Sequence, residues 1–211
     1  MSDAPIDIGS VELTTDPPPP SPPRPRSRLR LILLCALLAV AVAGGGVLAY
    51  TAWQVFTQKD ATLSAPAQIG SLRLDDSEDA KSTADYLQTA VAAEIDLDKT
   101  MGAVYTDSAG GGKDVLLFGG TTLFWTPEND LDTAFDLISD EQGSVTGLHE
   151  VDAGSLGGTM KCGTTKTDSG DLTVCGWADH GSLALAMFNN RSETESATLM
   201  RQIRTAAESR S

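Results

Sequence analysis

The sequence predicts an α+β fold in which one N-terminal transmembrane helix precedes an antiparallel sheet domain with about three helices on one side of it. Three features of the 211 residues lead there. Leu31 to Tyr50 holds no charged side chain, and a helix of that length, at about 1.5 Å per residue, spans the roughly 30 Å hydrocarbon core of a bilayer. Beyond residue 70 the chain carries three amphipathic helix patterns, each with its own start signal. Short β-like runs lie between them, and strands joined by such short turns must pair antiparallel.

The head, residues 1–30, holds eight of the ten prolines. Its run DPPPPSPPRPR from Asp16 to Arg26 favours extended polyproline II and buries too little apolar surface to fold, so a disordered cytoplasmic tail is expected. Pro19, Pro22 and Arg24 fit a PxxPxR recognition pattern, which any tract this rich in proline matches by composition. Thr14 and Thr15 follow Glu12 as candidate phosphorylation positions. Arg24, Arg26, Arg28 and Arg30 flank the apolar run on its N-terminal side and Lys59 is the nearest base beyond it. The positive-inside rule therefore keeps the head cytoplasmic and exports everything after the span 31–52, with the lipid bilayer touching Leu31 to Ala52.

Two alternatives compete with an anchor. Ala41-Val42-Ala43 ahead of three glycines fits a signal-peptide cleavage site, although 30 preceding residues are long for such a signal. Cys35 follows Leu34 near the start of the apolar run, whereas a lipid-anchored cysteine follows a small residue at its end. Gly44 to Gly46 lack GxxxG spacing, so helix pairing there has little support.

A small-residue linker, 53–70, leads to an acidic extracytoplasmic domain, 71–211. The head is neutral, with four acids and four bases, so the whole net charge of −14 lies beyond it. Such a domain repels phosphate backbones, and no nucleic acid partner is expected. The first helix starts among Asp75, Asp76, Glu78 and Asp79, where the dipole favours anions, and repeats Ala80, Ala84, Leu87, Val91 and Ile95 on one face. The second opens with Thr126 as N-cap and Pro127 in its first turn, and carries Leu131, Ala134, Phe135 and Ile138 inward. The third begins with a Ser192–Glu195 capping box, turns Met200, Ile203 and Ala207 inward, and carries Arg201, Arg204 and Arg210 toward its C-terminus.

The expected strands are Met101 to Thr106, Asp114 to Phe118, Thr121 to Trp125, Val145 to Val151, Thr159 to Thr164, Leu172 to Trp177 and Leu183 to Phe188. Turn signals at Ser108 to Gly112 and Asp168-Ser169-Gly170 punctuate them. The segments starting at Thr106 and Thr167 both read as a TDS turn, two apolar strands, a polar cap and a helix, the pattern expected of two related halves.

Cys162 and Cys175 are expected to form a disulfide, as an exported domain allows. If Asp168-Ser169 is the loop, Thr167 and Gly170 close it, and counting outward places Cys162 opposite Cys175 at a non-hydrogen-bonded site. There the α-carbons approach within bonding range, and Trp177 shares the face.

No cofactor or catalytic motif emerges. Gly110-Gly111-Gly112-Lys113 is followed by Asp114 and a strand rather than by Ser or Thr and a helix, which excludes a phosphate loop. His149-Glu150 lacks the second histidine of a zinc protease helix. Asp179, His180 and Ser182 have the residue types of a hydrolase triad, but neighbours on one turn do not aim at a common centre. Ala153 replaces the first glycine of a nucleophile elbow before Gly154-Ser155-Leu156-Gly157, and Phe135 takes the glycine position of a calcium loop begun by Asp130 and Asp132. No metal site is assigned, and a non-enzymatic protein is expected.

Gly157-Gly158, Cys162-Gly163, and Cys175-Gly176-Trp177-Ala178-Asp179 form a GGxxxCG…CxWAD pattern. Over about the last 60 residues the chain resembles a family of uncharacterised actinobacterial single-pass membrane proteins. The resemblance implies membrane residence and carries no activity. The expected function is binding of an unknown cell-envelope protein or ligand, with a structural subunit of a membrane complex as the alternative and an enzyme without a recognisable motif as a third class.

Overall fold

The computed structural model describes residues 26–108, 110–139, 144–167 and 170–210. Arg24, the proline-rich head, Ala109 and the Asp168-Ser169 turn lie outside them. Helix α1 (Arg26–Gln58) includes Arg26, Arg28 and Arg30 in its first turns. Its stretch Leu31–Gln58 is the one helix among the described residues long and apolar enough to cross a membrane. Large apolar side chains from Leu31 to Leu48 are exposed around it, the pattern of a membrane span rather than of an amphipathic surface helix. The chain divides into two compact units at Val47, and the last turns of α1 belong to the second.

That second unit contains β1 (Ala61–Leu63), β2 (Gln68–Ile69), β3 (Leu72–Leu74), α2 (Glu78–Glu94), β4 (Lys99–Asp107), β5 (Val115–Thr121) and α3 (Pro127–Leu137). There follow β6 (Thr146–Glu150), β7 (Thr159–Thr167), β8 (Gly170–Ala178), β9 (Ser182–Phe188), α4 (Glu193–Ala207) and β10 (Glu208–Arg210). Eight strands form one antiparallel sheet in the order β2-β3-β4-β5-β9-β8-β7-β6, and β1 pairs separately with β10. The α+β class stands.

Helices cover both faces of the sheet, not one. Side chains alternate along a strand, and on β8 Cys175 and Trp177 pack with Met200 and Ile203 of α4, while Val174 and Ala178 pack with Leu131 and Phe135 of α3 and Val91 of α2. The cause is legible in β9, SLALAMF, which is buried almost throughout. A strand apolar on both sides needs a layer on each. The two halves do not correspond either: one strand, β5, precedes α3, whereas the β8–β9 hairpin precedes α4 on the opposite face.

Two further expectations give way. The segment 53–70 is not a free linker, because α1 continues to Gln58 and Ala61–Leu63 pairs with Glu208–Arg210. Nothing in WQVFTQ breaks the helix, and the partner of β1 lies 147 residues away where no local pattern announces it. Thr121 to Trp125 is a strand only at Thr121. The rest is a loop with Phe124 turned inward, alternating like a strand but without a ladder.

The helix starts follow their signals. Ser77 caps α2, accepting from Ala80 N at 3.2 Å, and its own N–H donates to Asp75 at 2.9 Å, which holds that carboxyl below its usual range. The capping box of α4 is complete, and the Ser192 N–H and hydroxyl on Glu195 lower its pKa. Thr126 is the N-cap of α3 but its side chain makes no capping bond. Gly102 seats α2 on β4, since a Cβ there would lie 2.8 Å from the Ala84 carbonyl oxygen.

Tyr105 is fully buried on β4, donating to the Pro66 carbonyl at 3.1 Å, and burial raises its pKa to about 12 from 10.0. A raised folded pKa stabilises the fold fully below the unfolded value, and that contribution is lost as pH rises through the folded one. Alkaline titration of phenolate absorbance should therefore show a step near pH 12, coupled to loss of stability between 10 and about 12. Tyr105→Phe should remove the step.

Candidate functional site

The disulfide is formed. The register runs Thr167↔Gly170 and onward to Cys162↔Cys175, with the two α-carbons 4.1 Å apart and sulfurs bonded. Both residues are buried in the layer beneath α4, where Trp177 also lies. Closing a loop of this length contributes about 3 kcal/mol in the chain-entropy account.

Beside it lies a buried ionic cluster. Asp179 directly follows β8, and its Oδ1 accepts from the N–H groups of Gly181 (2.7 Å) and Ser182 (2.8 Å), which shapes the hairpin. Its Oδ2 accepts from Arg204 Nη2 and Arg210 Nη2, both at 2.6 Å. Arg204 Nε donates to Glu208 Oε2 at 2.8 Å, Nη1 donates to the Gly157 carbonyl at 2.6 Å, and the guanidinium sits 5.7 Å from the Trp177 ring centre. Arg210 also holds Glu208 Oε1 at 2.7 Å. Two carboxylates thus meet two guanidiniums, and no net charge is left in the interior.

Arg204 was expected among the cations complementing the dipole of α4. It is 1% exposed. The available signal was spacing: Arg204 stands four residues after Met200 and three before Ala207, on the apolar stripe rather than off it. Arg201, one turn earlier, is the surface cation of the pair, reaching the Asp152 carbonyl at 3.3 Å.

The cluster does not assemble hydrolytic chemistry. Ser182 Oγ accepts from Trp177 Nε1 at 3.0 Å and has a single proton for Glu208 (3.2 Å) or Asp179 (3.3 Å). His180 turns the other way, its Nδ1 2.8 Å from the Phe124 carbonyl oxygen, so no imidazole reaches the hydroxyl. On α3, Asp132 and Glu128 hold Lys161 of β7 at 2.7 and 3.4 Å. Burial opposes the charge of Lys161, but these partners raise its pKa. Burial pushes the Asp130 carboxyl up, against the hydrogen bonds of Thr126. His149 pairs with Glu193 at 3.0 Å. Among the described residues no three metal-ligating side chains converge.

What the cluster does is join parts of the domain. It ties the β8–β9 hairpin, the end of α4, β10 and the Gly154–Gly157 turn at one point, directly beneath the end of α1. Gln58, buried, accepts from His180 N at 3.2 Å through Oε1. Gly181 meets the Gln58 carbonyl so closely that any Cβ there would overlap it. β1 then leaves Gln58 to pair with β10, whose Glu208 and Arg210 belong to the cluster. The helix end is thereby part of the folded unit.

An open groove of about 590 Å³ lies elsewhere, between Gln68–Gly70 and the solvent side of α4, lined by Thr198, Arg201, Gln202 and Thr205. Ile69 and Ala206 complete the lining, and carbon atoms make up most of its exposed surface. Comparison with protein-family models, with curated proteins and with solved structures finds no match.

Proposed function

We propose that this chain is a single-pass membrane protein whose acidic, disulfide-bonded domain stands outside the cell and binds an envelope partner without catalysing a reaction. The observation that carries the proposal is the continuity of α1 from its apolar stretch into the folded unit through Gln58. The large apolar side chains of that stretch are exposed, as contact with lipid requires. The Cys162–Cys175 bond supports an oxidising location. The groove beside α4 is the surface assigned to the partner, and its largely apolar surface, with Arg201 and Gln202 on one wall, suits an apolar side chain flanked by polar groups. Membership of the actinobacterial membrane family is part of the same proposal.

A reporter fused at Ser2 should be active only in the cytoplasm and one fused at Ser211 only outside, because four arginines precede Leu31. The reverse pattern would overturn the orientation. Affinity capture of the full-length chain from crosslinked membranes should retain an envelope component that is lost when Arg201→Glu and Gln202→Glu alter the groove. Retention unchanged by those substitutions would refute the groove assignment.

A further inference from the structure

We propose that the loop 122–125 makes a second contact with the membrane, seating Leu123 and Trp125 in the lipid headgroup zone beside α1. The inference rests on the membrane anchoring proposed above. Phe124, 4% exposed, pins the loop. Its N–H donates to the His180 carbonyl at 3.1 Å, and its carbonyl faces His180 Nδ1 at 2.8 Å. His180 N in turn donates to Gln58. One residue therefore separates the loop from the end of the helix. Lys59 to Thr62 and Thr121 to Leu123 also line a common open cavity, so the proximity does not depend on one hydrogen bond.

With Phe124 inward, its neighbours face out: Leu123 is 39% and Trp125 73% exposed. An exposed tryptophan beside an exposed leucine is an apolar pair with no cover in the domain. On α1, Tyr50, Trp53 and Phe56 are exposed at three-residue spacing, and tyrosine and tryptophan mark the level where bilayer meets water. If the hydrocarbon ends at Ala52, Gln58 stands about 9 Å beyond it, at about 1.5 Å per residue. The headgroup zone on each side is about 5 to 7.5 Å thick, so side chains hung from the level of Gln58 have only a few ångström to cross. Charge does not oppose the approach. In a domain with a large acidic excess, the cavity beside Leu123 carries Lys59 and Lys99 against Asp60 and Asp98.

The test uses the full chain in phosphatidylcholine vesicles whose acyl chains are brominated near the headgroup end. Trp177 is fully buried and out of reach of lipid, so only Trp53 and Trp125 report contact. In the Trp53→Phe chain, brominated lipid should quench the emission, and the quenching should disappear when Trp125→Phe is added. If the Trp53→Phe chain is not quenched while the Trp125→Phe chain, which keeps Trp53, is quenched, the anchor is real and Trp125 faces solvent or a protein partner. That result overturns the inference. If neither chain is quenched and the protein does not float with the vesicles, the anchoring itself fails, and the loop contact with it.

Discussion

Arg204→Met should destabilise the domain by about 3 to 5 kcal/mol, the usual effect of leaving a buried charge without its partner. Methionine keeps much of the stem volume and still packs on Trp177, so loss of apolar contact contributes little. What is lost is the guanidinium between Asp179 and Glu208, at 2.6 and 2.8 Å. Arg210 alone then faces two buried carboxylates, and the carbonyls of Gly157 and Ala153 lose their donor. Denaturant midpoints of the detergent-solubilised chain measure the change. Adding Glu208→Gln restores the charge balance and should recover part of the loss. Arg201→Met, on the surface of the same helix, should stay within about 0.5 kcal/mol. Equal effects for Arg204 and Arg201 would show that the cluster does not hold the structure together.

Phe135→Ala should cost a similar amount, about 3 to 5 kcal/mol, by a different cause. The ring is buried between α3 and the sheet, in the cluster that includes Leu131, Val174 and Leu185. Truncation removes its transfer energy and leaves a cavity that the rigid sheet cannot close. Domains have only about 5 to 15 kcal/mol of net stability, so poor accumulation of the variant in cells is expected as well. Tyr86→Ala is the control, since Tyr86 is exposed on α2. An unchanged midpoint for Phe135→Ala would remove α3 from the core.

These two residues mark what was legible in the sequence. Phe135 was visible because Thr126-Pro127 and the spacing of Leu131, Ala134 and Phe135 are local signals, sufficient to place α3 and its buried face. The Cys162–Cys175 pairing was legible for the same reason: the two-residue turn fixes the register of everything beyond it. Arg204 was hidden by its chemistry. Arginines in the last turn of a helix ordinarily serve its dipole, and only two carboxylates brought in from residues 179 and 208 explain one in the interior. The β1–β10 pair was hidden by distance, since three-residue strands at opposite ends of the domain carry no periodicity to read. The Trp125 segment misled in the other direction, because apolar alternation predicts a strand whether or not a neighbour is present to complete its ladder. Both faces of the sheet were written into β9, but a short apolar run does not distinguish a strand buried on two sides from a buried helical segment.

The His180 and Gly181 contacts hold Gln58 against the β8–β9 hairpin, so the last turn of α1 folds with the domain.

The most direct test of membrane anchoring and export together is the intact mass of the chain recovered from cells that were quenched, unfolded and alkylated without reduction. The expected product is a membrane-bound chain that retains the apolar segment and carries one alkyl group, on Cys35, with Cys162 and Cys175 protected by their bond. Two further alkyl groups, or a soluble chain beginning near Gly44, would contradict it.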